Sequence, residues 1–136
     1  MSFYSYRRRV QFADTDLAGI VHFSMMFRYI EEAEHALWRA AGLSIADPSN
    51  DLGWPRLTAA LEFRQPLRFE DEVEVAIRVS SATTRTIEYE CVLRRGETVV
   101  AAGHMKSICA RKQRDGTMRA AELPPGLVEK LNQAAR

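Results

Sequence analysis

The sequence predicts an α+β domain in which a five-stranded antiparallel sheet wraps around one long central helix. Three observations carry that expectation. Between Ser24 and Leu43, the residues Met26, Ile30, Ala33, Leu37 and Ala40 recur at spacings of three and four, which draws one apolar stripe along a helix. Five other segments alternate apolar and polar residues, one before the helix and four after it. The last four are joined by turns too short for parallel crossovers. A striped helix and one-sided strands bury their apolar surfaces by packing on each other. One helix cannot cover five strands, so leftover apolar surface and free edges predict a homodimer, with assembly into a dimer of dimers left open.

The first strand is Tyr4 to Phe12, with Tyr4, Tyr6, Arg8, Val10 and Phe12 sharing one face. Its Arg7-Arg8-Arg9 run reads as a solvated strand edge, because three charges do not make a basic surface. Ala13 to His22 is irregular, with two aspartates one residue apart, Gly19 and a short apolar run ending in a histidine. The helix follows, with Ser24 as expected N-cap and Gly42-Leu43 as a left-handed C-terminal cap. Ser44 to Pro55 holds Asp47-Pro48, Asn50 and Gly53, a loop rich in turn residues. Arg56 to Gln65 places Leu57, Ala59, Leu61 and Phe63 on one side, and Pro66 marks an edge position or bend.

Asp71 to Ser80 has the cleanest alternation: Val73, Val75, Ile77 and Val79 oppose Glu72, Glu74, Ala76 and Arg78, as in a sheet covered on one face. Thr86 to Arg94 turns Ile87, Tyr89, Cys91 and Leu93 inward, and Arg95-Gly96 suits a tight hairpin. Thr98 to Ala110 is a long strand whose pattern blurs at Gly103, the mark of a bulge or a close backbone approach. Beyond it come a polar loop, Pro124-Pro125 and a short amphipathic segment carrying Leu127, Val128 and Leu131.

At 136 residues the chain is one domain, 1–136, with a real core. A net charge of +1, from 19 basic and 18 acidic residues, gives no global field toward nucleic acid or an anionic membrane. No apolar run approaches the ~20 residues that span a bilayer. The opening MSFYSYRRRV has no apolar signal-peptide segment, and two cysteines inside strands suit reduced thiols, so the expected location is cytoplasmic. No zinc-ligand spacing, Walker loop, dinucleotide glycine fingerprint or serine elbow occurs, and no metal or cofactor is expected.

The segment FADTDLAGIVHF, with this element order, resembles the hotdog-fold acyl-CoA thioesterases of the 4-hydroxybenzoyl-CoA thioesterase family, which includes the Tol-Pal-associated acyl-CoA thioesterases. The matching positions are Phe12, Asp14, Asp16, Gly19, Ile20 and Val21, and the similarity runs through the alternating segments to MRAAELPPGL. Many members carry Tyr-His or Trp-Tyr where this chain has His22-Phe23, which bears on substrate identity more than on reaction type.

The resemblance implies hydrolysis of an acyl-CoA to a carboxylic acid and free coenzyme. Asp16 would be the catalytic carboxylate, as nucleophile or as general base for water. Backbone N–H groups around His22, Phe23 and Ser24 would polarise the thioester carbonyl, helped by the helix dipole. Gly19 and Val21 would belong to the substrate pocket, and Asp14 would brace the loop. Arg85, Arg94, Arg95, Lys112 and Arg114 are the candidates for the coenzyme's phosphates. Two other readings stand beside this one. A hotdog hydroxyacyl dehydratase would pair His22 with Glu31, and a non-catalytic acyl-thioester binding module would have no need of an acid at residue 16.

Overall fold

The computed structural model describes residues 2–136. Its main sheet is fully antiparallel and contains β1 (Tyr4–Arg9), β3 (Arg56–Phe63), β4 (Glu72–Ala82), β5 (Thr86–Arg95) and β6 (Thr98–Ile108), in the order β1-β4-β5-β6-β3. The central helix α1 (Phe23–Ala40) lies across its concave face. A small second sheet joins β2 (Leu52–Gly53), β7 (Ala110–Lys112) and β8 (Met118–Ala120). The chain ends in α2 (Leu127–Ala134), which packs on β4 and α1.

The alternation of β4 and β5 becomes the core directly. Val73, Val75, Ile77 and Val79 are buried against α1 together with Ile87, Tyr89, Cys91 and Leu93. From the helix come Met26, Ile30, Ala33 and Leu37, as the stripe requires. The buried face is nonetheless wider than that stripe. It takes in Tyr29, Glu34, Ala36 and Trp38, because the sheet curls around α1 and α2 adds a further wall. Ala40, the last stripe position, is exposed.

Two polar side chains in this core have specific partners. The Trp38 indole N–H donates to the Tyr89 hydroxyl at 3.0 Å. Glu34 is 3% exposed, and the Arg56 guanidinium forks onto its two oxygens at 2.9 and 3.1 Å while also reaching Ser107 Oγ at 2.9 Å. A buried carboxylate persists only with such a partner, so this pair pins the start of edge strand β3 to the helix.

Several expectations at element ends need correction. The N-cap of α1 is His22, not Ser24: the His22 ring accepts the Ser24 N–H at 3.3 Å. The first strand stops at Arg9, and the chain passes through a 3₁₀ turn at Phe12–Asp14 that throws Phe12 outward, 76% exposed. The polar loop after Lys112 is the hairpin between β7 and β8. The C-terminal cap of α1 agrees with its sequence, since Gly42 adopts φ +77° and the Leu43 N–H donates to the Trp38 carbonyl at 2.9 Å.

Gly103 marks a close approach rather than a bulge. A Cβ on it would fall 1.9 Å from the Ala60 carbonyl oxygen of the paired strand β3. Backbone cannot yield as a flexible side chain would, so Gly103→Ala should push β3 off β6. We expect it to lower unfolding free energy by about 2–3 kcal/mol, read by urea denaturation; wild-type stability would show that the strands have room to part.

Candidate active site

The loop from Val10 to His22 is folded as a small hairpin. The His22 N–H donates to the Asp14 carbonyl at 3.0 Å, Thr15 and Val21 pair across it, and the Asp16 N–H donates to the Ile20 carbonyl at 2.9 Å. The turn closes through the Gly19 N–H, which donates to the Asp16 carbonyl at 2.9 Å with Gly19 at φ +76°, a conformation that favours glycine. The Val21 N–H donates to the Leu67 carbonyl at 2.8 Å, tying the hairpin to the chain that leaves β3.

At the hairpin's tip, Asp16 Oδ1 accepts the Ala18 N–H at 2.9 Å. Its second oxygen has no hydrogen-bond partner among the described residues. The returning arm leads into the first turn of α1. There the His22 N–H is spent on Asp14, the Ser24 N–H meets the His22 ring, and the Met25 N–H donates to the His22 carbonyl at 2.9 Å. The Phe23 N–H makes no hydrogen bond among the described residues. It lies at the positive end of the helix dipole, where a developing anion is stabilised.

Asp16 and Phe23 both line a cavity of ≈ 490 Å³. Ile20, Val21 and Met26 form its floor, and the stretch Phe63–Pro66, where β3 gives out, forms the opposite wall. The Phe63 ring stands edge-on to Phe23 at 6.2 Å and to Phe27 at 6.3 Å. Arg64 is the cation in this wall, and among the described residues its side chain has one ion pair, an exposed contact of 3.5 Å to Glu62. A wider hollow of ≈ 630 Å³ lies on the outer face of the sheet, around Glu62, Glu88, Glu90 and His104. Two of its three carboxylates, Glu62 and Glu90, are paired with Arg64 and Arg78.

The residues singled out in the sequence separate into two groups. Asp16, Val21 and Phe23 line one cavity, and Gly19 closes the turn behind Asp16. His22 does not line it: its ring stacks on Phe23 at 4.6 Å and its Nδ1 lies 2.7 Å from Ser24 Oγ. The Ser24 N–H is likewise engaged. Of the three expected backbone donors, this leaves Phe23 alone. Glu31 is nine positions along α1 from His22, about 13 Å of helix, so those two do not form an acid–base pair within one chain.

The proposed phosphate-binding cations are scattered. Arg95 donates to the Pro66 carbonyl at 2.6 Å and lies 3.5 Å from Asp71, bracing the cavity wall from behind. Arg94, in register with Glu74, is at the same end of the sheet. Arg85 precedes β5, and Lys112 and Arg114 belong to the hairpin beyond β6, so all three lie at the other end, about 30 Å away along β5. Phe63 to Pro66 carry no site motif in the sequence, whose one hint there is Pro66 breaking an alternating run.

A family model described as the thioesterase-like superfamily matches residues 10–131. A putative esterase of Aquifex aeolicus is 35% identical over 103 residues, 74% of this chain and 80% of the relative. A 1,4-dihydroxy-2-naphthoyl-CoA hydrolase of Trichodesmium erythraeum is 31% identical over 118 residues, 83% of this chain and 85% of that one. Among solved structures, a hypothetical protein of Thermus thermophilus superposes with a TM-score of 0.86 at 27% identity, covering 96% of this chain and 98% of its own.

Proposed function

The chain belongs to the thioesterase-like superfamily and has its hotdog fold, and from that premise we propose that it hydrolyses acyl-CoA thioesters in the cavity between Asp16 and the tip of α1. One observation carries the reading: a carboxylate oxygen and a helix-tip N–H, both without a hydrogen-bond partner among the described residues, belong to residues lining the same largely apolar cavity.

Thioester hydrolysis needs an oxygen nucleophile at the carbonyl carbon and a donor for the oxygen that becomes negative. Asp16 supplies the first through its free oxygen, while the Ala18 N–H fixes the carboxylate's orientation. That oxygen either bonds to the carbonyl carbon, expelling the coenzyme thiolate and leaving a mixed anhydride for water to cleave, or takes a proton from an attacking water. In both routes the Phe23 N–H stabilises the oxyanion, worth about 3 kcal/mol of barrier for one such donor. The thiolate is a good leaving group, so an ordinary carboxylate suffices.

An aryl acyl group suits this cavity. Phe63 and Phe23 present ring surfaces in the edge-on geometry that aromatic partners prefer, and several relatives are named as 1,4-dihydroxy-2-naphthoyl-CoA hydrolases. Arg64 supplies a cation at the cavity wall for a coenzyme phosphate. The dehydratase reading has no acid–base pair within one chain, and the binding-module reading leaves the carboxylate of Asp16 without a task.

The proposal extends to a homodimer formed on the β3 side. Among the described residues that strand pairs only with β6, which leaves its outer edge open, and Leu57 and Phe63 are 50% and 45% exposed along it. Light scattering should give twice the 15.4 kDa chain mass, and Leu57→Glu should halve it; a monomeric wild-type protein contradicts this assembly.

Three variants test the chemistry. With benzoyl-CoA and naphthoyl-CoA, Asp16→Asn should lose at least about 10³-fold in kcat while keeping its circular dichroism spectrum. Phe23→Pro removes the N–H at a helix position that tolerates proline, and His22 already has the extended backbone that precedes one (φ −62°, ψ 137°). It should lose about 10²-fold relative to Phe23→Ala, which keeps the N–H. Equal rates for Pro and Ala at residue 23, or wild-type rates for Asp16→Asn, overturn the assignment.

A further inference from the structure

Asp14 does not line the cavity, yet three side-chain and backbone donors converge on its carboxylate. The side chain is buried, with the residue 5% exposed, and Oδ2 accepts the Tyr29 hydroxyl at 2.6 Å, the Gln11 N–H at 2.9 Å and Arg8 Nη1 at 3.2 Å. Its own carbonyl accepts the His22 N–H. Behind this knot the Arg8 guanidinium lies 5.0 Å from the centre of the Tyr29 ring and donates through Nε to Glu32 at 2.9 Å, which also accepts the Tyr6 hydroxyl at 2.9 Å. Strand β1, the loop and the buried face of α1 thus meet at one carboxylate.

The position of that carboxylate in the chain gives it leverage. Asp14 stands at the base of the hairpin, two residues before Asp16 on one arm. Through its carbonyl it holds His22, the residue before Phe23, on the other. A rotation at Asp14 therefore moves both reacting groups relative to each other. We propose that Asp14, clamped by Tyr29 and Arg8, is a positioning residue that sets the separation between the Asp16 carboxylate and the Phe23 N–H. This rests on the roles assigned above to those two groups.

Charge-assisted bonds of this length are the strong ones. Burial, and then the bond to Asp14, raise the Tyr29 hydroxyl above its ordinary pKa, so it stays a proton donor throughout the working range. The Gln11 N–H and Arg8 hold Asp14 even without Tyr29, so loss of that hydroxyl should loosen the knot without unfolding the domain. Misplacement of reacting groups by a fraction of an ångström to an ångström costs roughly 10 to 10²-fold in rate.

The test compares Tyr29→Phe with wild type on benzoyl-CoA. We expect kcat to fall about tenfold, KM to stay within about twofold, and hydrogen exchange of the His22 amide to quicken. Asp14→Asn, which keeps shape but loses charge, should fall further, and Tyr29→Phe stands alone if that protein does not fold. An unchanged kcat in Tyr29→Phe with only a lower melting temperature overturns the positioning role, as does a loss of rate that merely tracks the unfolded fraction. Asp16→Asn, assayed alongside, separates the two levels. If it is inactive while Tyr29→Phe keeps full kcat, only the positioning role fails; if it stays active, the catalytic reading beneath it fails too.

Discussion

Backbone pairing between the two arms of the loop, the His22 N–H to the Asp14 carbonyl at 3.0 Å and the Asp16 N–H to the Ile20 carbonyl at 2.9 Å, brings the two chemically distinct parts of this molecule together. On one side of it the chain turns through Asp16, and on the other it enters the central helix. Without that closure the carboxylate would belong to a free loop and the helix tip would face solvent alone. With it, a fixed acid and a fixed amide address one cavity. The proposed chemistry draws on preorganisation of this kind more than on the strength of either group.

The rest of the fold keeps that pairing in place. The sheet curls around α1 because four strands deliver apolar side chains to one face, and the helix answers with Met26, Ile30, Ala33 and Leu37. The Glu34–Arg56 pair fastens the beginning of edge strand β3, and Gly103 lets that strand lie close on β6. The end of β3 therefore arrives as the far wall of the cavity, with Phe63 against Phe23. Arg95 holds the Pro66 carbonyl from behind. The wall is thus built from the edge of the sheet, which is also where apolar surface remains exposed.

Much of this architecture was legible in the sequence, because alternation and helical spacing are direct consequences of one-sided burial. The valines of β4 and the inward residues of β5 are where the pattern puts them. What sequence spacing cannot carry is the competition among nearby hydrogen-bond partners. His22 rather than Ser24 caps α1, since its ring reaches the Ser24 N–H, and the same residue's own N–H is taken by Asp14. Glu34 lies off the apolar stripe of α1 and is nonetheless buried, because Arg56 reaches it from a strand 22 residues on. Phe12 ends an alternating run yet points outward, because a 3₁₀ turn intervenes. The phosphate candidates show the same limit: Arg85 and Arg95 are each at a turn of β5, yet only Arg95 adjoins the cavity wall.

The most direct measurement is a crystal structure with S-phenacyl-CoA, in which a ketone replaces the cleavable thioester. The ketone oxygen should lie within about 3 Å of the Phe23 nitrogen and the Asp16 carboxylate about 3–3.5 Å from the carbonyl carbon, with the ring against Phe63. An acyl group seated in the outer-face hollow around His104, or a carbonyl turned away from Phe23 with Asp16 out of reach, would contradict it.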